Sequence, residues 1–167
     1  AEKLYKKSIN INKNYFNTYV NYGNLKRDLN KFKEAIKLYE TALTYNKDVS
    51  ATNYALSMAH QALGNFKETE FYAKRSLEID KKFTKADLLI SRSKKYTNND
   101  EHLTEMLNKF NNAELGINEK INLCFALGKA YEDLNQMDDC FKYLKEKNKL
   151  KRNTVSFDIN SETKNFN

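Results

Sequence analysis

Hydrophobic positions along this chain fall three and four residues apart, in paired runs that return at a fixed interval. Phe32, Ile36, Tyr39 and Leu43 form one run; Phe66, Ala73 and Leu77, with Tyr72 slightly rotated, form the next. Steps of three and four set side chains on one face of an α-helix. Asn30-Lys31 and Gly64-Asn65 stand where the paired helices turn, and Asn and Gly tolerate the left-handed conformation that ends a helix. There is no sustained apolar–polar alternation and no Asn-Gly or Asp-Gly pair between β-branched runs, so the pattern predicts helices and no strands.

The runs repeat. A small residue at the middle of a first helix recurs as Gly23, Ser57, Ser91 and Gly128, at intervals of 34, 34 and 37 residues. Twelve positions after each comes the matching slot of the second helix, filled by Ala35, Thr69, Leu103 and Cys140. Two helices of a hairpin approach closely only where one lacks bulk, so the bulky Leu103 marks the third unit as the least regular. A period near 34 residues predicts an all-α solenoid of stacked antiparallel helix hairpins. The expected units span 16–47, 50–81, 84–117 and 121–152. Residues 1–13 are expected to be the second helix of a unit whose front half is missing, as in a fragment of a longer array, and 153–167 a tail or connector carrying Phe157, Ile159 and Phe166.

Leu127-Gly128 with Tyr131, then Ala35, Tyr39 and Ala42, then Tyr22-Gly23 resemble the tetratricopeptide repeat (TPR). That family places Leu-Gly, Tyr, Ala, an aromatic, Ala and Pro along its unit. The chain departs from it at the final Pro, replaced by Lys47, Lys81 and Arg152, and at the leading Trp, replaced by Tyr19 and Asn53. The resemblance covers nearly the whole chain and implies a right-handed superhelix with the first helices lining a concave groove. Its groove positions fall on Asn17, Val20, Asn24 and Arg27; on Tyr54, Met58 and Gln61; on Lys85, Leu88, Arg92 and Lys95; and on Phe125, Lys129 and Glu132. Such a surface, aromatic in part and cationic in part, suits an extended peptide bearing an acidic group. Tyr54, Leu88 and Phe125 could equally pack between helices. One TPR subfamily clamps the carboxylate tails of heat-shock chaperones; Asn24 and Arg92 fit that clamp, whereas Val20 and Met58 stand where it needs polar residues.

Composition narrows the function. The net charge is +7, and a bias toward Lys, Asn and Ile in the source genome accounts for it. A nucleic-acid partner is disfavoured because the basic clusters (Lys3/Lys6/Lys7; Arg92/Lys94/Lys95; Lys142/Lys145/Lys147/Lys149/Lys151/Arg152) lie in different units with acids scattered among the helices. Cys124 and Cys140 occupy packing slots and His60 the family's Tyr slot. All three read as core residues, without metal spacing, and the two free thiols fit a reducing cytoplasm. No cofactor is expected, no phosphate-binding glycine motif is present, and no apolar run is long enough for a bilayer. Asp138/Asp139 and Asp100/Glu101 sit where helices are expected to start and favour the positive end of the dipole.

Residues 84–158, with Phe125-Ala126-Leu127-Gly128-Lys129 and Asn148-Lys149-Leu150-Lys151-Arg152, resemble the last TPR units of bacterial TPR–sulfotransferase fusion proteins. Cys140 stands there for an Ala and Asn135 for the turn Gly. The first expectation is therefore a non-catalytic scaffold that binds a protein or peptide in its groove. The second is the accessory arm of a sulfotransferase whose catalytic domain lies outside this chain.

Overall fold

A computed structural model describes residues 1–155, and among them the chain forms nine α-helices and no strand. They are α1 (Glu2–Ile11), α2 (Phe16–Asp28), α3 (Phe32–Tyr45), α4 (Ser50–Ala62), α5 (Phe66–Ile79), α6 (Thr84–Ser93), α7 (Glu101–Phe110), α8 (Ile117–Asp133) and α9 (Met137–Val155). The chain divides into two compact units, residues 1–94 with α1–α6 and residues 95 onward with α7–α9. α9 runs on through residues 153–155; the rest of the expected tail, with Phe157, Ile159 and Phe166, lies outside the described residues.

Three hairpins are closed by the same backbone device. Asn30, Gly64 and Asn135 have φ of 57°, 75° and 56°, and the amide after each reaches back five residues: Lys31 N–H to Lys26 O, Asn65 N–H to His60 O and Gln136 N–H to Tyr131 O, at 2.8–3.0 Å. This left-handed cap turns the chain within three residues, so α2/α3, α4/α5 and α8/α9 lie antiparallel and pack along their length. In the first unit α3 also packs on α4 and α5 on α6, while α2 touches α4 and α4 touches α6. First helices therefore stand side by side.

The small residues face the partner helix. A Cβ on Gly23 would lie 2.5 Å from Cε1 and 2.8 Å from Cδ1 of Tyr39, a ring wholly buried among Ala35, Ala55, Leu56 and Ala59. Ser57 is buried and its hydroxyl donates to the Thr69 carbonyl at 2.6 Å; Ser76 donates likewise to the Ser50 carbonyl at 2.9 Å. Gly128 meets Leu144 less closely, with Cδ2 3.2 Å from the added Cβ.

Two expectations need correction. Leu103 is only half-buried, and α7 turns His102 and Met106 inward instead. The reason is register: α3, α5 and α9 start nine residues after Gly23, Ser57 and Gly128, whereas α7 starts ten after Ser91. Residues 94–100 are not a tight turn. Tyr96 is buried there, its hydroxyl 2.6 Å from His102 Nδ1. Its N–H donates to Asp133 at 3.2 Å. Phe66, expected on the inward face, is 55% exposed. As the first residue of α5, its side chain leans back past the helix end and beyond the core.

A buried cation ties α1 into the first unit. Lys26 on α2, 4% exposed, sits 2.8 Å from Glu2 of α1 and 2.7 Å from Glu34 of α3. Its ammonium lies 5.2 Å from the centre of the Tyr22 ring, on which Tyr5 stacks at 5.4 Å. Hydrogen bonding to Lys26 pulls the carboxyls of Glu2 and Glu34 below their ordinary value.

Two outcomes follow from these contacts. Gly23→Ala must displace the Tyr39 ring, and despite the better helix propensity of Ala it should destabilise by about 1–2 kcal/mol. Gly128→Ala meets only a methyl that can give way and should stay within about 0.5 kcal/mol of the parent; urea unfolding followed by circular dichroism reads both. For the ion triad, Glu2→Gln with Glu34→Gln strands a buried ammonium and should lower Tm more than Lys26→Met, which leaves two half-exposed carboxylates in water. Because the folded pKa values of the two acids are depressed, their contribution is present above the ordinary carboxylate range and lost as pH falls through the folded values. The Tm gap between parent and double Gln variant should accordingly close in acid.

Candidate partner-binding surface

The surface in the first unit is set by α2, α4 and α6. On α2, Asn17, Val20, Asn24 and Arg27 follow each other by three and four residues and are all half-buried. α4 contributes Tyr54, Met58 and Gln61, also half-buried, and α6 contributes the exposed Lys85 and Arg92 with half-buried Leu88 between them. Since α2 touches α4 and α4 touches α6, these rows lie next to one another.

Several of these side chains are held in place from below. Tyr39, reaching through from α3, donates its hydroxyl to Asn24 Oδ1 at 2.9 Å. That contact fixes the amide and leaves its NH2 without a hydrogen bond among the described residues. Gln61 donates to Ser93 Oγ at 3.3 Å, linking α4 to α6. Asn17 donates to the Tyr15 hydroxyl at 3.3 Å. Tyr54 meets Phe83 edge-on at 5.2 Å, and with Met58 it covers the core cluster of Ala73, Leu77, Ala86, Leu89 and Ile90. The ring of Tyr54 thus packs between helices, as one reading of the sequence had it.

Its hydroxyl stands in a cationic field. Burial raises the Tyr54 pKa, and the guanidinium groups of Arg92 and Arg27 oppose that rise. Two arginines from α2 and α6 therefore act on one hydroxyl from α4. Arg27 shares its charge with the exposed Asp28 at 3.1 Å. Arg92 makes no ion pair among the described residues.

The remaining expected positions, Lys95, Phe125, Lys129 and Glu132, belong to the second unit and are described within it. Lys95 is exposed in the stretch before α7. Lys129 is in a tight ion pair with Asp133 one turn on, the same carboxylate that receives the Tyr96 N–H, so its charge is already matched. Glu132 is exposed. Phe125 is half-buried on α8, and the ammonium groups of Lys147 and Lys151 of α9 lie 4.5 and 5.2 Å from its ring centre. Those two lysines were legible only as members of a basic run; the aromatic they cover is 22 residues upstream of the first of them.

Other reactive groups are buried in the core. Cys124 and Cys140 are free and buried, and desolvation pushes the Cys124 thiol up to about 12, far from a nucleophile's range. Among the described residues no three His, Cys, Asp or Glu side chains gather as a metal site, and no helix is long and apolar enough to cross a membrane. His60 stacks on Tyr72 at 5.4 Å. Its Nδ1 accepts from Asn65 Nδ2 at 3.3 Å, which leaves the buried Nε2 carrying the proton without a partner. Burial depresses its pKa, against the pull of Glu68 and Glu40.

The sequence model of the tetratricopeptide repeat matches residues 16–49, 50–83 and 121–154. It passes over the irregular stretch that holds α6 and α7. Among solved structures, the crystal structure of MamA superposes with a TM-score of 0.68 at 16% identity, over 91% of this chain and 87% of that one. YrrB, described as a TPR protein with an unusual peptide-binding site, superposes with a TM-score of 0.62 at 18% identity, over 87% of this chain and 74% of its own. At such identities the likeness establishes the fold alone. No curated protein matches the chain.

The buried imidazole gives a pH signature. The unfolded chain takes up the His60 proton near the ordinary value, before the folded protein does, so stability falls as pH drops from about 6.5 toward the lower folded pKa. His60→Phe removes that term and the orphaned N–H together. Its urea midpoint should exceed the parent's and vary less with pH between about 5 and 6.5.

Proposed function

Because the chain belongs to the tetratricopeptide repeat family, we propose that it is a non-catalytic scaffold that holds an extended segment of a protein partner. The segment lies against the face of the first unit formed by α2, α4 and α6, and it places an acidic group between Arg27, Tyr54 and Arg92. One observation carries this reading: α2 touches α4 and α4 touches α6, so the rows that bear Arg27, Tyr54 and Arg92 lie side by side, and the charge of both arginines opposes the rise of the Tyr54 pKa. A carboxylate there accepts from the hydroxyl and from the planar donors of Arg92, which no acidic side chain of this chain occupies among the described residues. The fixed amide of Asn24 supplies a donor for the peptide backbone alongside. The peptide-binding site attributed to YrrB supports such a use of this fold.

The second expectation, an accessory arm of a sulfotransferase, rests on the sequence of residues 84–158 alone. Neither the family match nor the similar structures named above bears on it.

The test is a panel of fluorescein-labelled decapeptides, each offered with Asp or with Asn at one position, titrated by anisotropy. Acidic members should bind more tightly than their amide twins. Tyr54→Phe with Arg92→Gln keeps the ring packing, and it should weaken them about tenfold while the helical circular dichroism stays unchanged. Equal affinity for Asp and Asn peptides, or no response to the double variant, would overturn the reading.

A further inference from the structure

We propose that the second unit carries its own acceptor for a peptide carboxylate, formed by Lys147 and Lys151 of α9 above the Phe125 ring of α8. This extends the peptide-scaffold reading to a site the groove positions do not include, and it rests on that reading only for the class of partner.

Lys147 and Lys151 are one turn apart on α9 and so reach the ring from the same side. Their ammonium groups sit 4.5 and 5.2 Å from the ring centre. The negative face of the ring attracts each cation. Two ammonium groups over one ring also repel each other, and the ring neutralises neither. The acidic neighbour on α9, Glu146, lies 4.0 Å from Lys149. Lys147 and Lys151 make no ion pair among the described residues. A carboxylate from outside, set between them, relieves the repulsion and gains two charge-assisted hydrogen bonds. The half-buried Phe125 ring holds the two ammonium groups in position.

The occupant is an acidic peptide and not a single-stranded nucleic acid. The ring face toward α9 is already covered by the two ammonium groups, so a base cannot stack there. Glu132 and Glu146, on the two helices that build the site, repel a continuous phosphate backbone more than one isolated carboxylate.

Equal charge on another face of the same helix provides the control. Lys145 and Arg152, with Lys149, line that face of α9, so Lys145→Gln with Arg152→Gln removes the same charge as Lys147→Gln with Lys151→Gln and leaves Lys149 beside Glu146. The probes are a fluorescein-labelled Gly-Asp-Gly-Asp-Gly peptide, its Asn twin and a labelled uridine decanucleotide, titrated against the full chain at one salt concentration. For the Asp peptide we expect about tenfold loss with the Lys147/Lys151 pair, about threefold with Phe125→Leu, and less than twofold with the control pair. In the parent, the methyl resonances of reductively methylated Lys147 and Lys151 should shift on adding the Asp peptide and stay in place with the Asn twin. Equal losses from the Lys147/Lys151 pair and the control pair would reduce the effect to net charge and overturn the proposal, as would tighter binding of the oligonucleotide than of the Asp peptide at this site. Tyr54→Phe with Arg92→Gln separates the two readings. If it alone weakens the Asp peptide, the groove stands and this site falls; if only the Lys147/Lys151 pair does, the reverse holds.

Discussion

At Gly23 the backbone of α2 and the ring of Tyr39 come too close for any side chain to stand between them, and the first hairpin is organised around that contact. Gly23 lets that ring lie flat against α2, which buries the largest side chain of the first core cluster completely. It also carries the Tyr39 hydroxyl through to Asn24 on the far side. One contact thereby sets the spacing of α2 and α3 and orients an amide on the face offered to a partner. In the next hairpin Ser57 does the same work by another means, exchanging ring contact for a buried hydroxyl-to-carbonyl bond. A hydrogen bond in a dry interface fixes distance as firmly as contact does, because breaking it leaves a donor unsatisfied.

At Ser91 the recurring pattern changes. Ser91 is buried, and among the described residues its hydroxyl bonds within its own helix, to the Leu88 carbonyl; α6 ends at Ser93 without a left-handed turn. The chain then uses a different device. Tyr96 buries itself against His102 and takes hold of Asp133 through its backbone, and Asp100 caps α7 through the His102 N–H. The family match omits this stretch, and α7 turns different positions inward from those the periodicity names.

What was legible in the sequence was whatever recurs at a fixed step. Gly23, Ser57 and Gly128 could be read as contact points because their spacing repeats, and Asn30, Gly64 and Asn135 as turns because few residues accept a positive φ. Contacts made once were not legible. Nothing about Lys26 shows that Glu2 and Glu34, from helices on either side, converge on it. Nor does a basic run reveal which of its lysines lie over Phe125. Burial was harder to read at helix tips than in helix middles: Phe66 has the right spacing and the wrong height along its helix.

The distribution of matched and unmatched charge argues for where a partner makes contact. Lysines that serve the fold are neutralised by acids of the same unit, as Lys26 is by two carboxylates and Lys129 by one. Among the described residues Arg92 in the first unit, and Lys147 and Lys151 in the second, have no such acid; the two lysines stand over the Phe125 ring, and the charge of Arg92 reaches the hydroxyl of Tyr54. A bare cation on a mobile stem is held only loosely by water, whereas one beside a fixed ring has lost part of that freedom before any ligand arrives. An acidic segment meeting these positions orders little that was not ordered already. Selectivity then comes from geometry, since a lysine on a free stem must be ordered by the ligand that meets it, whereas these positions are already oriented.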